Sequence, residues 1–166
     1  MIKIDFLKNH PNTIPALAHI WHQVLGKIWV PDVPVERVIT NFADHLNDSN
    51  LPITFVALDS DMPIGMCSLR ENDGIRPDLI PWLGSLVVDP KYQHKGIGKM
   101  LIEATCLKAK ELGFEKIYLF AFDPTIPNYY ERLGWIKIGM DEFKSHSVTV
   151  MEMKINLADK SPITNS

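Results

Sequence analysis

The sequence predicts a mixed α/β domain, and three observations carry that prediction. Apolar residues at helical spacing in 13–28, 34–46 and 97–107 alternate with short apolar runs of strand length. Two of those runs, PITFVAL (52–58) and PIGMCSL (63–69), flank the polar turn Asp59-Ser60-Asp61 and favour antiparallel pairing. A third run, WLGSLVV (82–88), leads through a helical segment to KIYLFAF (116–122), which permits a parallel crossover. A central sheet covered by helices satisfies all three.

In chain order, residues 2–7 alternate as a short first strand. Leu17, Trp21, Val24 and Ile28 then mark a helix, with Thr13 available as its cap and Pro15 tolerated in its first turn. After the break VPDVP, Pro34 opens a second helix with the apolar stripe Val35, Val38, Ile39, Phe42 and Leu46. The two paired strands follow, and ENDGIRPD (71–78) reads as a polar loop. Strand 82–88 ends at Asp89-Pro90, and Ile97, Met100, Leu101, Ala104 and Leu107 mark a helix that stops near Gly113. Strand 116–122, a short helix containing YYERL, and strands WIKIG and SVTVMEMKI complete the pattern. One domain over 1–157 and a flexible tail at 158–166 are expected.

The composition of the 166-residue chain, 46% hydrophobic and 22% charged, is that of an ordinary globule able to bury a core. A net charge of -3 argues against a general nucleic-acid binder. No apolar stretch is long enough to cross a bilayer, and MIKIDFLKNH lacks the long apolar segment of a secretory signal, so no membrane partner is expected. Cys67 and Cys106 are the only cysteines, which implies no disulfide framework and a reduced, cytoplasmic protein.

The junction Gln93-His94-Lys95-Gly96-Ile97-Gly98 is the most informative stretch. Its glycines let the backbone approach a ligand, and helix-start amides attract anions. Amides from His94 through Gly98 could form an anion nest, with Lys91, Lys95, Lys99 and protonated His94 adding positive potential. The dinucleotide pattern GxGxxG fails, because Lys99, Met100 and Leu101 follow Gly98. The phosphate-loop pattern fails too, with Gln93 at its first glycine and Met100 at its Ser/Thr. A plain strand-to-helix turn explains the glycines as well.

The segment LVVDPKYQHKGIGKML together with YLFAFDPTIPNYYERLGW resembles the GCN5-related N-acetyltransferase (GNAT) superfamily. Residues 93–98 match that family's Arg/Gln-x-x-Gly-x-Gly/Ala pattern, and the order of elements is similar over about 1–157. The resemblance implies a mostly antiparallel central sheet with flanking helices and a splayed cofactor cleft. It implies acetyl-coenzyme A as cofactor, its pyrophosphate on Gln93, His94, Lys95, Gly96, Ile97, Gly98 and Lys99, and its pantetheine along Leu86, Val87 and Val88. Asp123 stands where many relatives have asparagine, so cofactor contacts there are rearranged relative to them. A homodimer, common in that family, is a further possibility.

Acetyl transfer to an amine needs proton removal, positioning and stabilisation of the oxyanion. The resemblance makes Tyr130 the candidate acid beside the cofactor sulfur; from its chemistry alone, the Tyr129-Tyr130 pair serves equally as packing. Glu71, Asp73 and Asp78 precede the central strand as candidate bases, with His146 a further one, although ENDGIRPD could be only a soluble turn. His19 and His22 do not form HExxH, and no metal is expected. Cys67 and Cys106 read as packing residues. The segment 27–34 is expected to contribute to acceptor recognition by the same resemblance. The expected activity is acetylation of a small-molecule amine; a peptide or protein amine, or a noncatalytic coenzyme A-binding regulatory module, are the alternatives.

Overall fold

A computed structural model of the protein describes residues 1–122 and 125–155, without the side chain of Thr125. Asp123 and the expected tail 158–166 lie outside the described residues. Among the described residues, strands β1 (Ile2–Phe6), β2 (Ile53–Asp59), β3 (Met62–Arg70), β4 (Trp82–Val88), β5 (Lys116–Ala121), β6 (Ile136–Phe143) and β7 (His146–Lys154) are hydrogen-bonded in the order β1-β2-β3-β4-β5-β7-β6. The chain divides into two compact units, residues 1–70 with 84–105 and residues 71–83 with those from 106 onward.

In the first unit, β1 (Ile2–Phe6), β2 (Ile53–Asp59) and β3 (Met62–Arg70) pair antiparallel, as the alternating pattern and the Asp59-Ser60-Asp61 turn predict. Ser60 takes the left-handed conformation that closes this tight turn. Helices α1 (Ile14–Trp21) and α3 (Val35–Phe42) lay Leu17, Ile20, Val38 and Phe42 against Val56, Leu58, Met66 and Val87. This apolar packing, rather than the helices' own propensity, is what makes such short helices stable.

Two local details differ from the sequence reading. Thr13 does not cap α1: it is itself helical, and its hydroxyl donates to the His10 carbonyl at 2.6 Å. The first helix does not run uniformly to residue 28. A π-helical turn, His22–Gly26, separates α1 from the short α2 (Lys27–Trp29), and the Gly26 position packs against the rings of Trp21 and His22.

Strand β4 (Trp82–Val88) has the bounds its apolar run predicts. Gly65 of β3 explains how closely the first unit's strands approach. A Cβ there would sit 2.8 Å from the Val87 carbonyl and 3.3 Å from Leu101 of α4 (Ile97–Glu111).

In the second unit, β5 (Lys116–Ala121) pairs antiparallel with β7 (His146–Lys154), and β7 with β6 (Ile136–Phe143). Strand β5 meets β4 in parallel register at Trp82–Tyr118. Trp82 is fully buried, donates its indole N–H to the Leu79 carbonyl at 2.6 Å, and contacts the rings of Tyr118 and Phe120. Strand β6 continues to Phe143, beyond the expected stop at Gly139. A register shift between Lys137 and Gly139 lets the strand pass through the glycine. Helix α5 (Thr125–Arg132) ends at Gly134, whose left-handed backbone and N–H to Glu131 close its last turn.

Candidate active site

The site is built from the end of β4. Asp89 stops the strand with three hydrogen bonds: its N–H donates to the Ile64 carbonyl (2.7 Å), its carboxylate accepts from the Lys91 N–H (3.0 Å), and its carbonyl accepts from the Tyr92 N–H (2.8 Å). These bonds wind residues 90–92 into a 3-10 turn. The Tyr92 hydroxyl then donates to Asp59 at 2.8 Å, anchoring the turn to the end of β2. That bond, more than burial, raises the Tyr92 phenol above its ordinary value.

Beyond the anchor, Gln93 is extended, and His94 and Gly96 are left-handed, at φ 66° and 83°. A backbone that alternates handedness in this way turns successive N–H groups to one side. The Gly96 carbonyl accepts from the Met100 N–H at 3.1 Å, so Gly96 stands at the helix start and the first amides of α4 have no carbonyl one turn behind them. No acidic residue occupies that first turn. Lys91, His94, Lys95 and Lys99 are exposed, while the Ile97 side chain is buried and pins the helix start. A Cβ on Gly96 would meet nothing within 4 Å, so glycine serves the left-handed backbone there rather than a tight space. Every sequence-predicted residue of the anion turn is therefore held in one unit, together with Leu86, Val87 and Val88. The Val88 carbonyl accepts from the Gln93 side-chain amide at 3.2 Å.

Tyr130, Glu71 and Asp78 belong to the second unit. Tyr130 is buried, and its ring lies edge-on to Trp135 at 5.8 Å and to Tyr129 at 5.4 Å. Burial raises the Tyr129 phenol. Glu71 and Asp78 are exposed, and Asp73 is half-buried. Their loop has its own internal order: Asn72 accepts from the Gly74 N–H (2.8 Å) and donates to the Ile75 carbonyl (3.2 Å), Ile75 is buried, and Arg76 pairs with Asp141 at 3.1 Å. The Glu142 N–H and Arg76 hold the Asp141 carboxyl below its usual value. His146 begins β7 and meets the Phe122 ring edge-on at 4.7 Å. His22 bonds the Val33 carbonyl at 3.1 Å, a bond that ties α1 to the following loop. Among the described residues no group of three or more His, Cys, Asp or Glu side chains could hold a metal ion.

Two polar constellations escaped the sequence reading. His45 Nδ1 lies 2.8 Å from the Thr54 hydroxyl, which lies 2.7 Å from that of Ser68. Separately, the Ser85 hydroxyl accepts from Trp21 Nε1 at 3.1 Å and from the Arg70 guanidinium. Ser85 itself is left-handed, at φ 53°, in the middle of β4. The available signal was a small polar residue inside otherwise apolar runs, Ser68 in PIGMCSL and Ser85 in WLGSLVV.

Comparison with known proteins gives this geometry its context. The Acetyltransferase (GNAT) family model matches residues 18–135, more than half of the chain. A spermine/spermidine N(1)-acetyltransferase of Bacillus subtilis (strain 168) is 33% identical over 75 residues, which cover 43% of this chain and 49% of that protein. The chain thus spans about half the length of this curated relative. Among solved structures, the ribosomal-protein-S18-alanine N-acetyltransferase of Escherichia coli superposes with a TM-score of 0.70 at 18% identity, covering 97% of this chain and 98% of that one. An aminoglycoside 6'-N-acetyltransferase complexed with coenzyme A gives 0.70 at 19% identity, covering 94% and 97%. The chain belongs to the acetyltransferase (GNAT) family. The mixed, mostly antiparallel sheet with flanking helices agrees with the fold expected from the sequence.

Proposed function

We propose that this enzyme transfers the acetyl group of acetyl-coenzyme A to the amine of a small molecule by direct attack within a ternary complex. The observation that carries the proposal is the turn at 93–98, exposed from Gln93 to Gly96, where left-handed His94 and Gly96 open a helix free of acidic residues in its first turn. Such a turn suits the pyrophosphate of coenzyme A. Main-chain groups of Leu86, Val87 and Val88 would run beside pantetheine, and Lys95 and Lys99 would add positive potential. The neutral amine attacks the thioester carbonyl carbon, its proton passing to water or a carboxylate. The tetrahedral oxyanion collapses, the C–S bond breaks, and the coenzyme A thiolate takes a proton, for which Tyr130 is the proposed donor. The exposed Glu71 and Asp78 remain proposed proton acceptors, acting through water.

A small-molecule acceptor is supported by the polyamine named for the Bacillus subtilis relative. No helix among the described residues is long and apolar enough to cross a membrane. The test is incubation of the purified protein with acetyl-coenzyme A and a panel of polyamines, aminoglycosides, amino acids and peptides, read by mass spectrometry. Acetylated small amine appearing together with coenzyme A is the expected result. Acetylation confined to the peptides would move the acceptor to a protein amine. Coenzyme A binding without product on any amine would leave a regulatory module.

A further inference from the structure

Ser85 is a serine in a backbone conformation that L-residues avoid, placed inside a strand. Its φ of 53° departs from extended geometry inside β4, between the buried Gly84 and the half-buried Leu86. Left-handed non-glycine residues persist only where their surroundings over-determine them. Here two donors from distant parts of the first unit do so. The indole N–H of Trp21 reaches Ser85 Oγ from the end of α1, 64 residues away in sequence, and Arg70 Nη2 reaches it from the end of β3, 15 residues away. A serine oxygen has two lone pairs, so these donors fill its acceptor capacity and fix the side chain in one rotamer.

We propose that Trp21, Arg70 and Ser85 form a clamp that holds β4 in this kinked state and thereby aims the main chain of Leu86, Val87 and Val88. They are positioning residues: none of them is placed on the thioester, and each acts through the strand. The proposal rests on the acetyl-transfer reading insofar as residues 86–88 border the cofactor, but the kink and its donors stand apart from that reading. Trp21 also stands at the π-helical turn His22–Gly26, and its ring packs edge-on against Phe42 at 6.2 Å. The indole is thus fixed on its carbon side by apolar packing, which leaves its N–H directed at the strand. Glycine, the residue that adopts this φ without strain, would serve as well as serine if the kink needed no fastening.

Ser85→Gly and Ser85→Ala separate fastening from folding. Both remove the hydroxyl, but only alanine keeps the strained left-handed backbone. The expected result is a lower melting temperature for Ser85→Ala than for Ser85→Gly, with an equal loss of coenzyme A affinity in both, about tenfold by calorimetry. Trp21→Phe, which retains an aromatic ring and removes one donor, should weaken coenzyme A about threefold. Hydrogen–deuterium exchange of the amides at 86–88 in the ligand-free protein should quicken at least about tenfold in all three variants, with β1 and β2 unchanged. Affinity that follows melting temperature across the two Ser85 variants would overturn the clamp, as would unchanged exchange at 86–88. If the wild-type protein binds no coenzyme A, the acetyl-transfer reading falls, and the exchange data still decide whether the clamp exists.

Discussion

His45 Nδ1 and the Thr54 hydroxyl are 2.8 Å apart, and burial is the main reason that the imidazole is held neutral down to a pKa of about 4. The nearby Arg70 guanidinium adds to the depression, while Asp44 opposes it. In the unfolded chain the same imidazole protonates near its ordinary value of 6.5. Between these values the unfolded chain binds a proton that the native protein refuses. Stability is therefore complete above the unfolded value, declines as pH falls through it toward 4, and has lost at most about 3 kcal/mol from this group below that. Urea denaturation at a series of pH values should show the decline. His45→Asn, which places an amide where Nδ1 now sits, should remove the part of the slope due to this group.

The Tyr92–Asp59 bond makes a spectroscopic prediction. Tyr92 ionises above the ordinary tyrosine value because its hydroxyl donates to a carboxylate. Asp59→Asn should bring that transition down toward the ordinary value, detectable by ultraviolet absorbance of the phenolate in a difference titration against Tyr92→Phe. Tyr92→Phe should also weaken coenzyme A severalfold by loosening the turn ahead of Gln93, measured by calorimetry.

Gly96→Ala places a methyl in open space on a left-handed backbone. Thermal unfolding should show a loss of about 1 kcal/mol, set by backbone strain alone. Coenzyme A affinity should fall further than this, because relaxing the strain rotates the turn's N–H groups. Equal losses in stability and affinity would argue against the anion nest.

Gly65→Ala is expected to behave in the opposite way. Its new methyl would press on the Val87 carbonyl, a backbone atom that cannot rotate aside. Denaturation should show a loss of about 1–3 kcal/mol, the usual range for overpacking.

Tyr130→Phe tests the proposed acid. The ring contacts with Trp135 and Tyr129 survive the change, and circular dichroism of the variant checks its fold. Turnover with the best amine of the panel should fall at least about tenfold under conditions where chemistry limits the rate, with coenzyme A affinity unchanged. Unchanged turnover would leave Tyr130 as packing.

The sequence made β4 and the start of α4 readable because both are marked by strong local signals, an apolar run closed by Asp89-Pro90 and a glycine turn followed by helical spacing. The π-helical turn was not readable, since one extra residue in a turn barely disturbs the apolar period. Gly139 misled in the other direction. It looked like the end of a strand, whereas it lies inside β6, where the Arg76 guanidinium passes within 3.2 Å of its would-be Cβ. Ser85 was unreadable for a different reason. Its conformation is decided by Trp21 and Arg70, which the sequence gives no means of bringing to it. The glycine turn could be found locally; the clamp on the strand beside it depends on tertiary structure.

Asp89 has a consequence for how the molecule tolerates change. Because one residue ends the strand and also seeds the coil that follows, the turn at 93–98 has no slack joint behind it. Lys91, His94, Lys95 and Lys99 are exposed on the rim, so exchanging them leaves this mount undisturbed. Replacing Asp89 would detach the rim from its frame, and the turn would move as an ordinary surface loop.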